Sequence, residues 1–95
     1  MIVKTTKLAV TQGLDGFQKI KFEIAIENID RELKKQLPFK KEYEVAIRDH
    51  LGMPENICFW MKNTALVAAI LSYYIQMGWS EAEYYPEHNA FLFKK

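Results

Sequence analysis

Between Lys62 and Glu81 the chain carries no formally charged residue, and most of that gap belongs to a longer apolar segment, PENICFWMKNTALVAAILSYYIQMG, from Pro54 to Gly78. Both ends carry helix punctuation. Proline fits a first helical position, where its missing N–H has no intrahelical partner, and glycine accepts the left-handed conformation that closes a helix. Glu55 suits the positive end of the helix dipole. The spacing predicts one helix over 54–77, about 36 Å long at 1.5 Å per residue.

Steps of 100° per residue divide that helix into zones. Ile57, Trp60, Met61, Val67, Leu71, Tyr74 and Ile75 form one broad apolar face, and Phe59, Leu66, Ile70, Tyr73 and Met77 form a second. A strip of Cys58, Lys62, Ala65, Ala69, Ser72 and Gln76 separates them. Two apolar faces require cover from more than one side. A membrane span needs ~20 apolar residues. Here Asn63, Thr64, Ser72, Gln76 and two adjacent tyrosines dilute the run, and no basic cluster flanks it to set an orientation. The expectation is a buried core helix and no membrane partner.

The remaining chain is ordinary in composition. Its 95 residues suit a single domain, 1–95, with a modest core. Thirteen basic and twelve acidic residues leave a net charge of +1, which supplies no global attraction to nucleic acid. One cysteine, Cys58, excludes an internal disulfide framework, and MIVKTTKLAVTQ has no apolar run of signal-peptide length. Cytoplasmic residence follows as the default.

Residues 2–12 are rich in β-branched types and read as a strand, followed by a turn at GLDG, 13–16. In FQKIKFEIAIEN, Ile20, Phe22, Ile24 and Ile26 alternate with charged residues, which predicts a second strand and a hairpin over the first 27 residues. Ile29, Leu33 and Leu37 then repeat every four residues, with Asn28 or Asp30 as cap and Pro38 as terminator. Tyr43, Ala46, Ile47, His50 and Leu51 sit at helical spacing before Gly52. After the long helix, EAEYY and AFLF read as strands joined by Pro86–Asn89, with Phe91 and Phe93 on one side. The expected class is α+β, in the order β-β-α-α-α-β-β, with one antiparallel sheet of about four strands packed on the 54–77 helix.

Three constellations bear on function. Residues 47–63 resemble a helix-turn-helix, with Ile47, Leu51, Met53, Cys58 and Met61 as packing positions. Arg48, however, occupies a position where a small residue is usual. The groove-facing set of Pro54, Glu55, Asn56, Phe59 and Trp60 offers no cation to DNA. Arg31, Lys34, Lys35, Lys40 and Lys41 form a basic patch around Leu37, Pro38 and Phe39, whereas Glu81, Glu83 and Glu87 make the final hairpin acidic. His50, His88, Cys58, Ser72 and Ser80 lack the spacing or glycine context of a catalytic or metal site.

These features point to a small soluble macromolecule-binding protein, a protein–protein interaction or regulatory and inhibitor module that self-associates as a homodimer. No catalytic site, cofactor or metal is expected. Trp79, Tyr84, Tyr85, Phe91 and Phe93 are the candidate contact residues, because aromatics dominate desolvated interface centres. The first alternative is a nucleic-acid-binding regulator using 47–63 or the basic patch. The second is a small enzyme with a site of unfamiliar form.

Overall fold

The computed structural model describes residues 9–36, 41–47 and 56–95. Helix α1 spans Gly16–Gln36, strand β1 Glu42–Ala46, helix α2 Ile57–Lys62, helix α3 Thr64–Gln76, strand β2 Glu81–Tyr85 and strand β3 Ala90–Lys94. The strands form one antiparallel sheet in the order β1-β3-β2. The α+β class and the single antiparallel sheet are as expected, although the sheet has three strands rather than four. No helix among the described residues is long and apolar enough to cross a membrane.

The N-terminal hairpin is replaced by a helix. Residues 2–8 lie outside the described residues, 9 and 10 are helical, and 16–36 form α1 rather than a second strand. Asp15 and Gln18 build a capping box: the Gln18 N–H donates to Asp15 Oδ1 at 2.8 Å, and the Asp15 N–H to Gln18 Oε1 at 3.3 Å. From there Phe22, Ala25, Ile26, Ile29 and Leu33 are all buried, at spacings of three, one, three and four. Their burial selects the helical period over the alternation, which leaves Ile20 exposed. Asn28 is not a cap: it lies mid-helix, donating to the Ile24 carbonyl and accepting from Arg31. Leu37 and Pro38 lie outside the described residues.

The segment EYEVA, expected to be helical, is β1. Tyr43, Val45 and Ile47 point into the core and Glu42 and Glu44 to solvent, a period of two. The C-terminal hairpin matches its expectation, with the turn at 86–89 and Asn89 in the left-handed conformation at φ 46°.

The 54–77 helix is broken. Asn63 ends α2 and begins α3, with its backbone N–H on the carbonyls of Phe59 and Trp60, its Nδ2 on Phe59 O at 2.7 Å, and its own carbonyl accepting from Val67. Gln18 of α1 donates to its Oδ1, so one side chain joins three helices. Gly78 terminates α3 as anticipated. At φ +113° it donates to Ile75 O, and Trp79 donates to Tyr74 O, the paired bonds of a Schellman motif.

Helix α1 packs over β1 and against α3, and α3 packs over β2, giving one helical layer on one sheet. Phe91 and Phe93 of the central strand are wholly buried, with Phe93 4.7 Å from Tyr74 and Phe91 5.6 Å from Trp60 between ring centroids. Tyr74 also joins the helices, its hydroxyl donating to Asp30 Oδ1 at 2.7 Å, with Ile26 O at 3.3 Å. Burial and the adjacent Asp30 carboxylate raise the Tyr74 phenol above its ordinary value. An unfolded tyrosine ionises near pH ~10 and this one later, so the unfolded state holds fewer protons above that pH. Stability should therefore fall as pH rises beyond about 10. Tyr74→Phe is expected to cost about 1 kcal/mol at neutral pH and to make that alkaline decline shallower. Urea unfolding at neutral and alkaline pH checks both, and an identical decline in the variant would refute the assignment.

Candidate functional site

The two apolar faces of α3 meet different fates. Leu66, Ile70 and Tyr73 are buried, Tyr73 standing edge-on to Phe22 of α1 at 5.8 Å. On the other face Tyr74 is buried against Phe93 and Val67 and Leu71 are half-buried, while Ile75 and the neighbouring Thr64 and Ala68 are exposed. Positions 64, 68, 71 and 75 lie on one stripe of a helix. Thr64, Ala68 and Leu71 of that stripe, with Val67, floor a groove of about 370 Å³. Trp60 and Met61 of α2 close one end, so the groove draws on residues from both sides of the break at Asn63. Tyr84 and Pro86 form its sheet-side wall. Both belong to β2 or the turn that follows it, so the wall is the edge of the sheet and not its middle.

The wall is firmly packed. Trp60 is buried between Phe59 and Phe91, at 5.1 and 5.6 Å, and lies 6.4 Å from Tyr84. The Tyr84 hydroxyl donates to Asn89 Oδ1 at 2.9 Å, and burial raises its phenol. Thr64 supplies the other side-chain hydroxyl, and among the described residues that line the groove none carries a carboxylate, imidazole or amine. Such a lining is mostly apolar, and its one ionisable side chain among the described residues is the Tyr84 phenol.

The edge beside the groove is chemically defined by register. Ile47 N–H bonds to Asn89 O and Lys95 N–H to Lys41 O, so the odd-numbered residues of β3 turn their backbone groups to β1 and the even-numbered ones to β2. Their partners on β2 are Glu81, Glu83 and Tyr85. The N–H and C=O groups of Ala82 and Tyr84 therefore point away from the sheet. At the opposite edge Glu42, Glu44 and Ala46 face outward by the same rule, and Gln36 Nε2 of α1 donates to the Glu44 carbonyl at 3.2 Å. At one edge a side chain from the end of α1 reaches one outward carbonyl; along the other, β3 is the only strand neighbour among the described residues.

The outer face of the sheet is acidic. Glu42, Glu44, Glu81 and Glu83 share it with Lys94, whose Nζ lies 3.2 Å from Glu81 and 3.6 Å from Glu42. The hydrogen bond to Glu81, then the charges of Glu81 and Glu42, hold the lysine above its usual range. A hydrogen bond with Glu83 raises the Tyr85 phenol. His88 Nδ1 sits 3.1 Å from Glu44 Oε2 on this face.

The candidates named from sequence are scattered by the fold. Phe91 and Phe93 have no accessible surface, Trp79 and Tyr84 are half-buried, and Tyr85 is exposed on the acidic face. Of the five, Tyr84 alone lines the groove. In the basic patch Arg31 lies 3.4 Å from Glu27 and Lys35 2.9 Å from Glu32, so carboxylates interleave with the cations, while Lys34 and Lys41 are exposed. Lys40 lies outside the described residues, as do His50 and residues 48–55 of the helix-turn-helix-like segment. That segment's second helix is α2, a six-residue helix, and its proposed packing residues Cys58 and Met61 are exposed rather than buried. Ser80 donates to the Lys94 carbonyl and Ser72 accepts from Gln76. Among the described residues no group of three or more His, Cys, Asp or Glu could hold a metal ion.

Thr64, Ala68 and Pro86 were not foreseen as site residues. The available signal was the excess apolar face of the 54–77 segment, which required an uncovered side somewhere. Comparison with protein families, with curated proteins and with solved structures found no match to the chain. The exposure of Cys58 has a direct consequence. A thiol-specific reagent should modify it in the folded protein at a rate close to that in denaturant, and strong protection would place it in the core instead.

Proposed function

We propose that this chain is a polypeptide-binding module without chemistry of its own, and that the groove between α3 and β2 receives apolar side chains of a partner protein. The groove itself carries the reading: about 370 Å³ in volume, mostly apolar in its lining, with Trp60 and Tyr84 in its walls and no charged side chain among the described residues that line it. Volumes of roughly 300–1,000 Å³ with mostly apolar linings are typical of binding sites. Trp and Tyr are the residue types on which interfaces concentrate their energy. The nucleic-acid alternative has less support, since Glu27 and Glu32 interrupt the cations of α1.

Peptides selected from a displayed library against the folded protein provide the test. Their amide shift changes should centre on Thr64, Val67, Ala68, Leu71 and Tyr84. Leu71→Asp should weaken binding by about tenfold or more, the cost of a carboxylate in an apolar contact. Shifts falling elsewhere on the surface would remove the groove from consideration.

Self-association is a second reading, favoured by different residues. Phe17 and Ile20 on α1 are more than half exposed, at 57% and 62%, and Phe17 stands 6.4 Å from Phe59 beside the α2 helix that also exposes Met61. Sedimentation should show a dimer that Ile20→Glu converts to monomer. A wild-type monomer at high micromolar concentration would end that reading.

A further inference from the structure

We infer that the open edge of β2 and the adjoining groove form one composite site for an extended segment of a partner protein, whose side chains alternate between basic and apolar. This deepens the polypeptide-binding reading above and rests on it. Three observations support it. The first is the backbone: Ala82 and Tyr84 present their N–H and C=O groups outward beside the groove, whereas Gln36 caps the outward carbonyl of Glu44 at the other edge. A strand laid along β2 would complete those bonds.

The second is side-chain parity. Ala82 and Tyr84 share the helix-facing side of the sheet with Phe93 and Phe91, and Tyr84 continues into the groove wall. Alternate residues of an added strand would thus face the Val67 and Leu71 stripe. The residues between them would stand beside Glu81 and Glu83 on the outer face, which also carries Glu42 and Glu44 and where Lys94, of these four, reaches only Glu81 and Glu42. Opposite charges on neighbouring strands are favourable and like charges unfavourable. The bound segment is therefore basic on that side.

The third observation disfavours antiparallel pairing with a second copy of β2. Antiparallel self-pairing centred on Glu83 sets Glu83 against itself, and pairing centred on Ala82 sets Glu81 against Glu83. Centring on Tyr84 places Ala82 opposite Pro86, which has no N–H to give, and Glu81 opposite Glu87. The edge is guarded against its own kind and open to a basic strand.

The test uses end-blocked synthetic peptides with lysine and valine in strict alternation, a block-ordered control of the same composition, and a glutamate–valine counterpart. Ala82→Pro closes the edge without removing a bond to β3, because the Ala82 N–H points outward; proline is tolerated at such edge positions. The alternating lysine peptide should bind the wild type, slow amide exchange at Ala82 and Tyr84, and lose about tenfold or more in affinity with Ala82→Pro. Glu83→Lys, on the exposed face, should weaken that peptide and favour the glutamate one. Unchanged affinity in Ala82→Pro, or equal binding of the block-ordered control, would overturn strand addition. The groove reading would survive if the library-selected peptides still depended on Leu71. Failure of the alternating peptide to bind at all would likewise overturn the edge inference alone.

Discussion

The fold depends on burying the two aromatic rings of its central strand. Phe91 and Phe93 stand on the same side of β3, flanked by Val45 and Tyr43 on one neighbour and by Tyr84 and Ala82 on the other. Burying one such side chain contributes roughly 1.5–3 kcal/mol, and Trp60, Tyr43, Tyr74 and Phe22 are buried with them in the same core. Each helix is placed by that requirement. Trp60 of α2 covers Phe91, Tyr74 of α3 covers Phe93, and α1 closes over β1 and the far side of α3.

A sheet of three strands has only one central strand, so two edges must be managed. The chain treats them unequally. At β1, Gln36 reaches from the helix end to a strand carbonyl. At β2 the guard is electrostatic: glutamates on the wet face and a proline immediately after the strand. The difference follows from the width of the helical layer. Two helices side by side cover three strands, but α3 turns its Val67–Leu71 flank outward beyond β2 instead of under it.

The parts of the fold visible in the sequence were those where one periodicity stood alone. The C-terminal hairpin has a clear turn between two short apolar runs, and Gly78 sits where a helix of that register must end. Residues 16–36 carried two periods at once. The alternation of Ile20, Phe22, Ile24 and Ile26 is real, but Ala25, Ile29 and Leu33 extend the helical one, and Asp15–Gln18 is a capping signature that alternation conceals. In β1 the competition runs the other way: Tyr43, Val45 and Ile47 alternate over too few residues to outweigh a helical spacing that includes residues beyond the strand. The groove was half legible. Excess apolar surface on the 54–77 segment could be read directly, but which face stayed open depended on α1 being a helix, and hence on the misread region. The break at Asn63 has no glycine or proline to announce it; it is made by an amide side chain folding back onto Phe59.

That asparagine has a mechanical consequence. The floor of the groove belongs to α3, fixed to the sheet, while its end wall stands on a separate helix of six residues, α2. The two are joined through Asn63, which Gln18 steadies from a third helix. Hydrogen bonds of this kind contribute only about 1 kcal/mol each. Changes at 18 or 63 would therefore retune the length of the groove while leaving its floor in place.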